Sequence, residues 1–157
     1  MMPFFYVVYV VRGTKYFLIL IGGFTIGLMP GLTGCKSNRN PMIPSVPVNV
    51  VLNLGNPQFS ALNVPGGYVV LPDEGSRGII VVRVNVDDVA AFDLHCPQDV
   101  NNPCGKAQPD PNGLKLVCPC CTSEWNILSG QTIKGPSVWP LFNYRTSFDG
   151  MVVRVFN

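Results

Sequence analysis

Five cysteines crowd into two short stretches of this chain: Cys96 and Cys104 in HCPQDVNNPC (95–104), and Cys118, Cys120 and Cys121 in CPCCTSEW (118–125). Sulfur at such spacing has two main uses. As thiolate it is a soft anionic ligand for a metal, and oxidised it closes a disulfide. Five is odd, so disulfides alone leave one thiol over. As a zinc site, Cys96-x7-Cys104-x13-Cys118-x2-Cys121 offers four sulfurs to one tetrahedral ion and leaves Cys120 free. The C-x2-C half suits a single ion well, and the x7 half is loose.

No other constellation competes with the cysteines. Asp87-Asp88 is a carboxylate pair only in sequence, because neighbours in a strand point to opposite faces, and a turn after RVNV is the expected reading. His95-Cys96 is not a hydrolase pair for the same reason of geometry. His95, the one histidine, reads as a strand-end residue with an ordinary hydrogen bond, and Glu124 as a solvated charge. The Asn-Gly, Pro-Gly and Gly-Gly pairs mark turns and none leads into Lys-Ser, so no phosphate loop is expected. No catalytic residue is expected, and the chain reads as a non-enzyme.

The elements that must position the cysteines are strands. Val46–Leu54, Tyr68–Leu71, Gly78–Val84, Val89–Leu94, Leu114–Val117, Trp125–Leu128, Leu141–Thr146 and Met151–Phe156 are short β-rich runs separated by Gly, Pro, Asn and Asp. No window has helical periodicity, and 15 prolines with 16 glycines oppose long helices. The expectation is an all-β domain of short antiparallel strands. Phe148-Asp149-Gly150 predicts a hairpin turn, since Asp-Gly tolerates the positive φ that such turns need. Between Leu94 and Leu114 runs a proline-rich segment without strand pattern; a loop this long is unusual unless it is functional or fastened down. Cys96 and Cys104 suggest fastening.

The beginning of the chain carries a different signal. Arg12 and Lys15 precede an apolar run from Tyr16 to Met29, and Leu32-Thr33-Gly34-Cys35 follows. This resembles a bacterial lipoprotein signal with its lipobox, which implies removal of residues 1–34 and lipidation of Cys35. A membrane-spanning helix is the alternative, but residues 16–29 are short for a span of about 20 apolar residues. Residues 35–47, polar and proline-punctuated, read as an extended tether, and 48–157 as the β domain. Loss of Arg12 and Lys15 leaves nine basic against nine acidic side chains, so no nucleic-acid partner is expected. The expected place is the bacterial cell envelope, outside the cytoplasm, attached to the membrane through the lipid. Disulfides persist there.

Taken together, VAAFDLHCPQD, LVCPCCTSEWNILSGQTIKGPSVWPLFNY and DGMVVRV resemble a Rieske domain, whose two cluster loops read roughly C-x-H-x2-C and C-P-C-H-G-S. The likeness runs from about Gly67 to Asn157. It includes the strand GIIVVRV, Trp125 where the family has an aromatic after its serine, and Gly135-Pro136, similar to the family's proline-containing cover loop. It implies an antiparallel β-sandwich with two cysteine-bearing loops and a [2Fe–2S] cluster held by two Cys and two His. Cys96 and Cys118 match the cysteine ligands. Cys120 matches the loop-bridging cysteine, with Cys104 as its implied disulfide partner. Gln98 and Cys121 stand where the histidines belong. A cluster here would need Cys96, Cys118, Cys121 and either Cys104 or Gln98, and thiolate in place of imidazole would lower its potential. An electron carrier with a redox partner in the envelope is then expected. A zinc-bound module is the alternative. So is a metal-free one stapled by Cys104–Cys120 with Cys96–Cys118 or Cys96–Cys121. The leader lacks paired arginines, so a chain threaded unfolded would arrive outside the cytoplasm without a preassembled cluster.

Overall fold

The computed structural model describes residues 43–157. The expected signal segment 1–34, the lipidation site Cys35 and residues 36–42 of the tether lie outside the described residues. The rest of that segment contacts the domain: Ile43 is buried. Asn157 accepts from the Val48 amide at 3.0 Å and donates to the Val46 carbonyl at 2.7 Å. No helix among the described residues is long and apolar enough to cross a membrane.

The architecture is all-β and antiparallel, as expected. Six strands form one sheet: β1 (Asn49–Asn53), β2 (Tyr68–Leu71), β3 (Ile79–Arg83), β4 (Val89–Asp93), β9 (Asn143–Phe148) and β10 (Val152–Phe156), in the order β1-β10-β9-β4-β3-β2. The other four, β5 (Gln108–Pro109), β6 (Lys115–Val117), β7 (Glu124–Asn126) and β8 (Thr132–Lys134), form a smaller sheet in chain order. The β9–β10 turn is the predicted one. Asp149 Oδ1 accepts from the Met151 and Val152 amides at 3.0 and 2.7 Å, and Gly150 takes φ +96°, a conformation open mainly to glycine.

The two-residue period of a strand explains why β3 reads IIVV without polar interruption. Ile79 and Val81 point into one core with Leu52, Leu62, Val89, Ala91, Val153 and Val155. Ile80 and Val82 point into a second core with Phe92, Leu94, Leu116, Trp125, Ile127 and Leu141. A strand covered on both faces has no polar side to show. Cys96 and Cys118 belong to the second core, between the two sheets.

Three elements depart from expectation. Pro57–Asn63 forms a 3-10 helix, capped by Asn56 Oδ1 accepting from the Gln58 amide, with proline in its first turn and Leu62 fully buried. Seven residues with one buried position leave no periodic pattern to read. Strands β5 and β8 are two and three residues long, too short for alternation to register, and the one large apolar residue of β8, Ile133, is 59% exposed.

Candidate metal centre

Loop one leaves β4 and folds back on itself before β5. His95 pairs with Lys106 as an isolated bridge, the Ala107 amide donates to the Leu94 carbonyl at 2.7 Å, and the Cys96 amide to the Gly105 carbonyl at 2.9 Å. Gly105 is required by close approach: a Cβ there would stand 2.2 Å from the Asp99 carbonyl oxygen. Loop two is the tight connection between β6 and β7, in which Leu116 faces Trp125 and Val117 faces Glu124. It closes with Cys118 N to Ser123 O and Thr122 N to Cys118 O, both 2.9 Å, and Thr122 takes φ 61°. A β-branched residue in the left-handed region is an outlier of the kind found at binding sites.

Buried polar side chains hold loop one in place. Asp93 Oδ1 accepts from the His95 amide at 2.8 Å, and its Oδ2 accepts from the Ser76 amide at 2.8 Å and the Tyr144 hydroxyl at 2.7 Å. His95 Nε2 lies 2.9 Å from the Val100 carbonyl, and Ser76 Oγ lies 2.7 Å from His95 Nδ1. A carbonyl only accepts, so Nε2 carries a proton and donates it to Val100, while Nδ1 is hydrogen-bonded to the serine hydroxyl. Arg77 Nη2 donates to the same Val100 carbonyl at 3.0 Å, and Nη1 to the Asn102 carbonyl.

These supports bring Cys96, Asp99, Cys118 and Cys121 together, with every ligand atom within 4.8 Å of the others. Cys96 Sγ is 3.6 Å from Cys121 Sγ, and Asp99 Oδ2 is 4.0 Å from Cys96 Sγ and 3.8 Å from Cys118 Sγ. Cys96 and Cys118 are fully buried, while Asp99 and Cys121 are partly exposed. Burial, seconded by the neighbouring Cys118 thiol, pushes the Cys96 thiol far above its ordinary range. Burial also raises Cys121, although Ser123, whose hydroxyl lies 3.2 Å from its sulfur, pulls the other way. An open cleft of about 410 Å³, lined by Pro97, Gln98, Asp99 and Trp139 among others, lies alongside loop one.

The remaining expected site residues fall elsewhere. Cys104 and Cys120 are joined in a disulfide with Cα atoms 5.5 Å apart, so Cys104 has no thiolate to offer a metal and Cys120 is not free. That corrects Cys104 as a ligand, in both the cluster and the zinc reading. Gln98, the alternative, is exposed on the cleft wall and outside the ligand group. The metal-free pairings of Cys96 are not formed: Cys96, Cys118 and Cys121 all carry free thiols. Glu124 is not a solvated charge. It is paired across the sheet with Lys115 at 2.8 Å and with Lys134 at 3.6 Å, and the Lys115 hydrogen bond holds its carboxyl below the usual range.

Asp99 was absent from the expected ligands. Its signal is the spacing Cys96-x2-Asp99, which repeats Cys118-x2-Cys121 in the other loop. An imidazole is also missing from the group. Both ring nitrogens of His95 are engaged, by Ser76 and Val100, so it cannot turn toward the thiols without breaking both bonds. The two-Cys, two-His set of a Rieske cluster therefore does not fit. Three thiols and a carboxylate fit a thiophilic metal that accepts sulfur and oxygen together.

The similar solved structures include a Rieske protein and two ferredoxin structures. The cyanobacterial plasma-membrane Rieske protein of Synechocystis is 25% identical over 58% of this chain and 85% of its own, with a TM-score of 0.43. The ferredoxin of carbazole 1,9a-dioxygenase from Nocardioides aromaticivorans is 22% identical over 71% of this chain and 98% of its own, at 0.44. The complex of reduced oxygenase and oxidised ferredoxin in carbazole 1,9a-dioxygenase is 20% identical over 61% and 86%, at 0.43. No protein-family model and no curated protein matches the chain.

Proposed function

We propose that this chain is a Rieske-like metalloprotein of the bacterial cell envelope, anchored through lipid on Cys35, that passes single electrons to or from a partner protein. The observation that carries it is the convergence of Cys96, Cys118, Cys121 and Asp99 from two loops onto one small volume. Three thiolates select zinc or iron over harder ions, and iron adds a one-electron couple. Asp99 and Cys121 are partly exposed, which keeps the metal close to the surface where a partner can approach. The sequence likeness supports the carrier role, and the neutral mature chain suits an envelope protein without a nucleic-acid partner.

A zinc-bound structural module is the second reading. Cys96 and Cys118 are part of the second core, so an ion there would also complete the packing between the two sheets. Anaerobically purified full-length protein separates the two. Bound iron with a reversible one-electron wave in voltammetry supports the carrier. Zinc alone, with no wave, refutes it.

A further inference from the structure

The sequence likeness implies two irons and two bridging sulfides, whereas the geometry points to one ion. We infer that the two loops hold a single tetrahedral, thiophilic metal ion through Cys96 and Asp99 from loop one and Cys118 and Cys121 from loop two. This rests on reading the loops as a metal centre and is independent of whether the metal passes electrons.

Bond lengths decide between the two. Sulfur bound at about 2.3 Å to a tetrahedral ion stands about 3.8 Å from the next sulfur, and a carboxylate oxygen at about 2.0–2.2 Å stands about 3.6 Å from it. Cys96 and Cys121 are 3.6 Å apart, and Asp99 Oδ2 is 3.8 Å from Cys118 and 4.0 Å from Cys96. Each distance lies within a few tenths of an ångström of the single-ion value. In a two-iron cluster the ligands divide into two pairs, one on each iron, with the metal–sulfide core between them. No such division exists here. Asp99 is as near Cys118 in the other loop as it is to Cys96 in its own, and all four ligand atoms fall within 4.8 Å.

The surroundings hold the loops at this separation. Cys104–Cys120 ties loop one to loop two directly. Val100, next to Asp99, has its carbonyl fixed by both His95 and Arg77. These are positioning residues: they bond the backbone beside the carboxylate and do not touch the metal site. Opening the group to admit a second iron and two sulfides would pull against both hydrogen bonds to the Val100 carbonyl. The two equal i, i+3 pairs also match what one ion asks of two loops.

The test uses the purified full chain, freed of metal by a chelator under mild reduction that spares Cys104–Cys120, and titrated with cobalt(II). One cobalt per chain is expected, with visible bands of tetrahedral geometry and thiolate-to-cobalt charge transfer. Zinc should displace it one for one. Asp99→Ala should weaken binding by at least the roughly 10–100-fold that loss of an outer-shell partner costs. Asp99→Cys should restore binding with charge-transfer intensity raised by about a third, as four thiolates replace three. Gln98→Ala should change nothing. A protein carrying two irons and two acid-labile sulfides per chain overturns the inference, as does six-coordinate cobalt indifferent to Asp99→Ala. One zinc per chain without a redox couple leaves the inference standing and removes the electron-carrier role. Two irons with a reversible couple do the reverse, and no metal uptake removes both.

Discussion

The chemistry of the centre turns on where single side chains put their protons. Burial holds Cys96 and Cys121 as neutral thiols in the metal-free protein, so a metal must expel those protons to bind, and affinity rises with pH. The same shift has a consequence for stability. Unfolding returns both thiols to their ordinary value of 9.0, so the folded state holds their protons at a pH where the unfolded chain has released them. The stability that follows is complete below pH 9.0 and is lost as pH rises through the raised folded values. Metal-free protein should therefore show a Tm that falls above pH 9.0, with a smaller fall in Cys96→Val. A Tm that rises there would contradict the assignment. At this scale Cys96, Cys118 and Cys121 were legible in the sequence, because clustered sulfur has few uses. Asp99 was not. A carboxylate in a polar loop looks like a solvated charge until the backbone turns it onto the thiols, and the likeness to a histidine-bearing loop drew attention to Gln98 instead. Cys104 stood both among the expected ligands and as the implied disulfide partner of Cys120, since one spacing serves a metal or a disulfide, and the structure forms the disulfide.

Among the elements, the two cysteine loops are held both by backbone hydrogen bonds at their own strand ends and by a covalent link to each other. Loop two is a six-residue turn between strands of three residues, and the disulfide to Cys104 fastens it to loop one across a sequence separation of 16. Closing a loop of that length stabilises by about 3 kcal/mol through the unfolded chain. The double variant Cys104→Ser/Cys120→Ser should lose about that much in urea unfolding, and its metal affinity should drop as the loops part. Unchanged stability and affinity would show that the disulfide does not position the site. The long strands were legible because burial on both faces of β3, and on one face of β1 and β10, leaves a pattern in the residue types. β5, β8 and the 3-10 helix were not, because their conformation is set by hydrogen bonds to neighbours and not by which residues they bury. The limits of β7 and β9 shifted by one to two residues for a related reason: Ile127 and Leu141 are buried in the second core but lie outside the ladders.

For the molecule as a whole, two cores divided by one sheet place the metal group at the edge of the inner packing, half enclosed and half reachable. The all-β class and the two cysteine-bearing loops were readable from the sequence because turn residues and strand runs alternate along most of the chain. The nuclearity of the centre was not, since it depends on distances between loops that no linear pattern contains. At this scale the proposed lipid anchor makes a direct prediction: Cys35→Ser moves the protein from the membrane fraction to the soluble fraction. Retention of that variant in membranes would replace the lipid with an uncleaved helix.

The central claim is that one metal ion sits between Cys96, Cys118, Cys121 and Asp99. X-ray absorption at the metal edge of the full-length protein tests it most directly. The account predicts three sulfur neighbours at about 2.3 Å, one oxygen at about 2.0–2.2 Å and no second metal. A metal–metal neighbour, or a shell containing imidazole nitrogen, would contradict it.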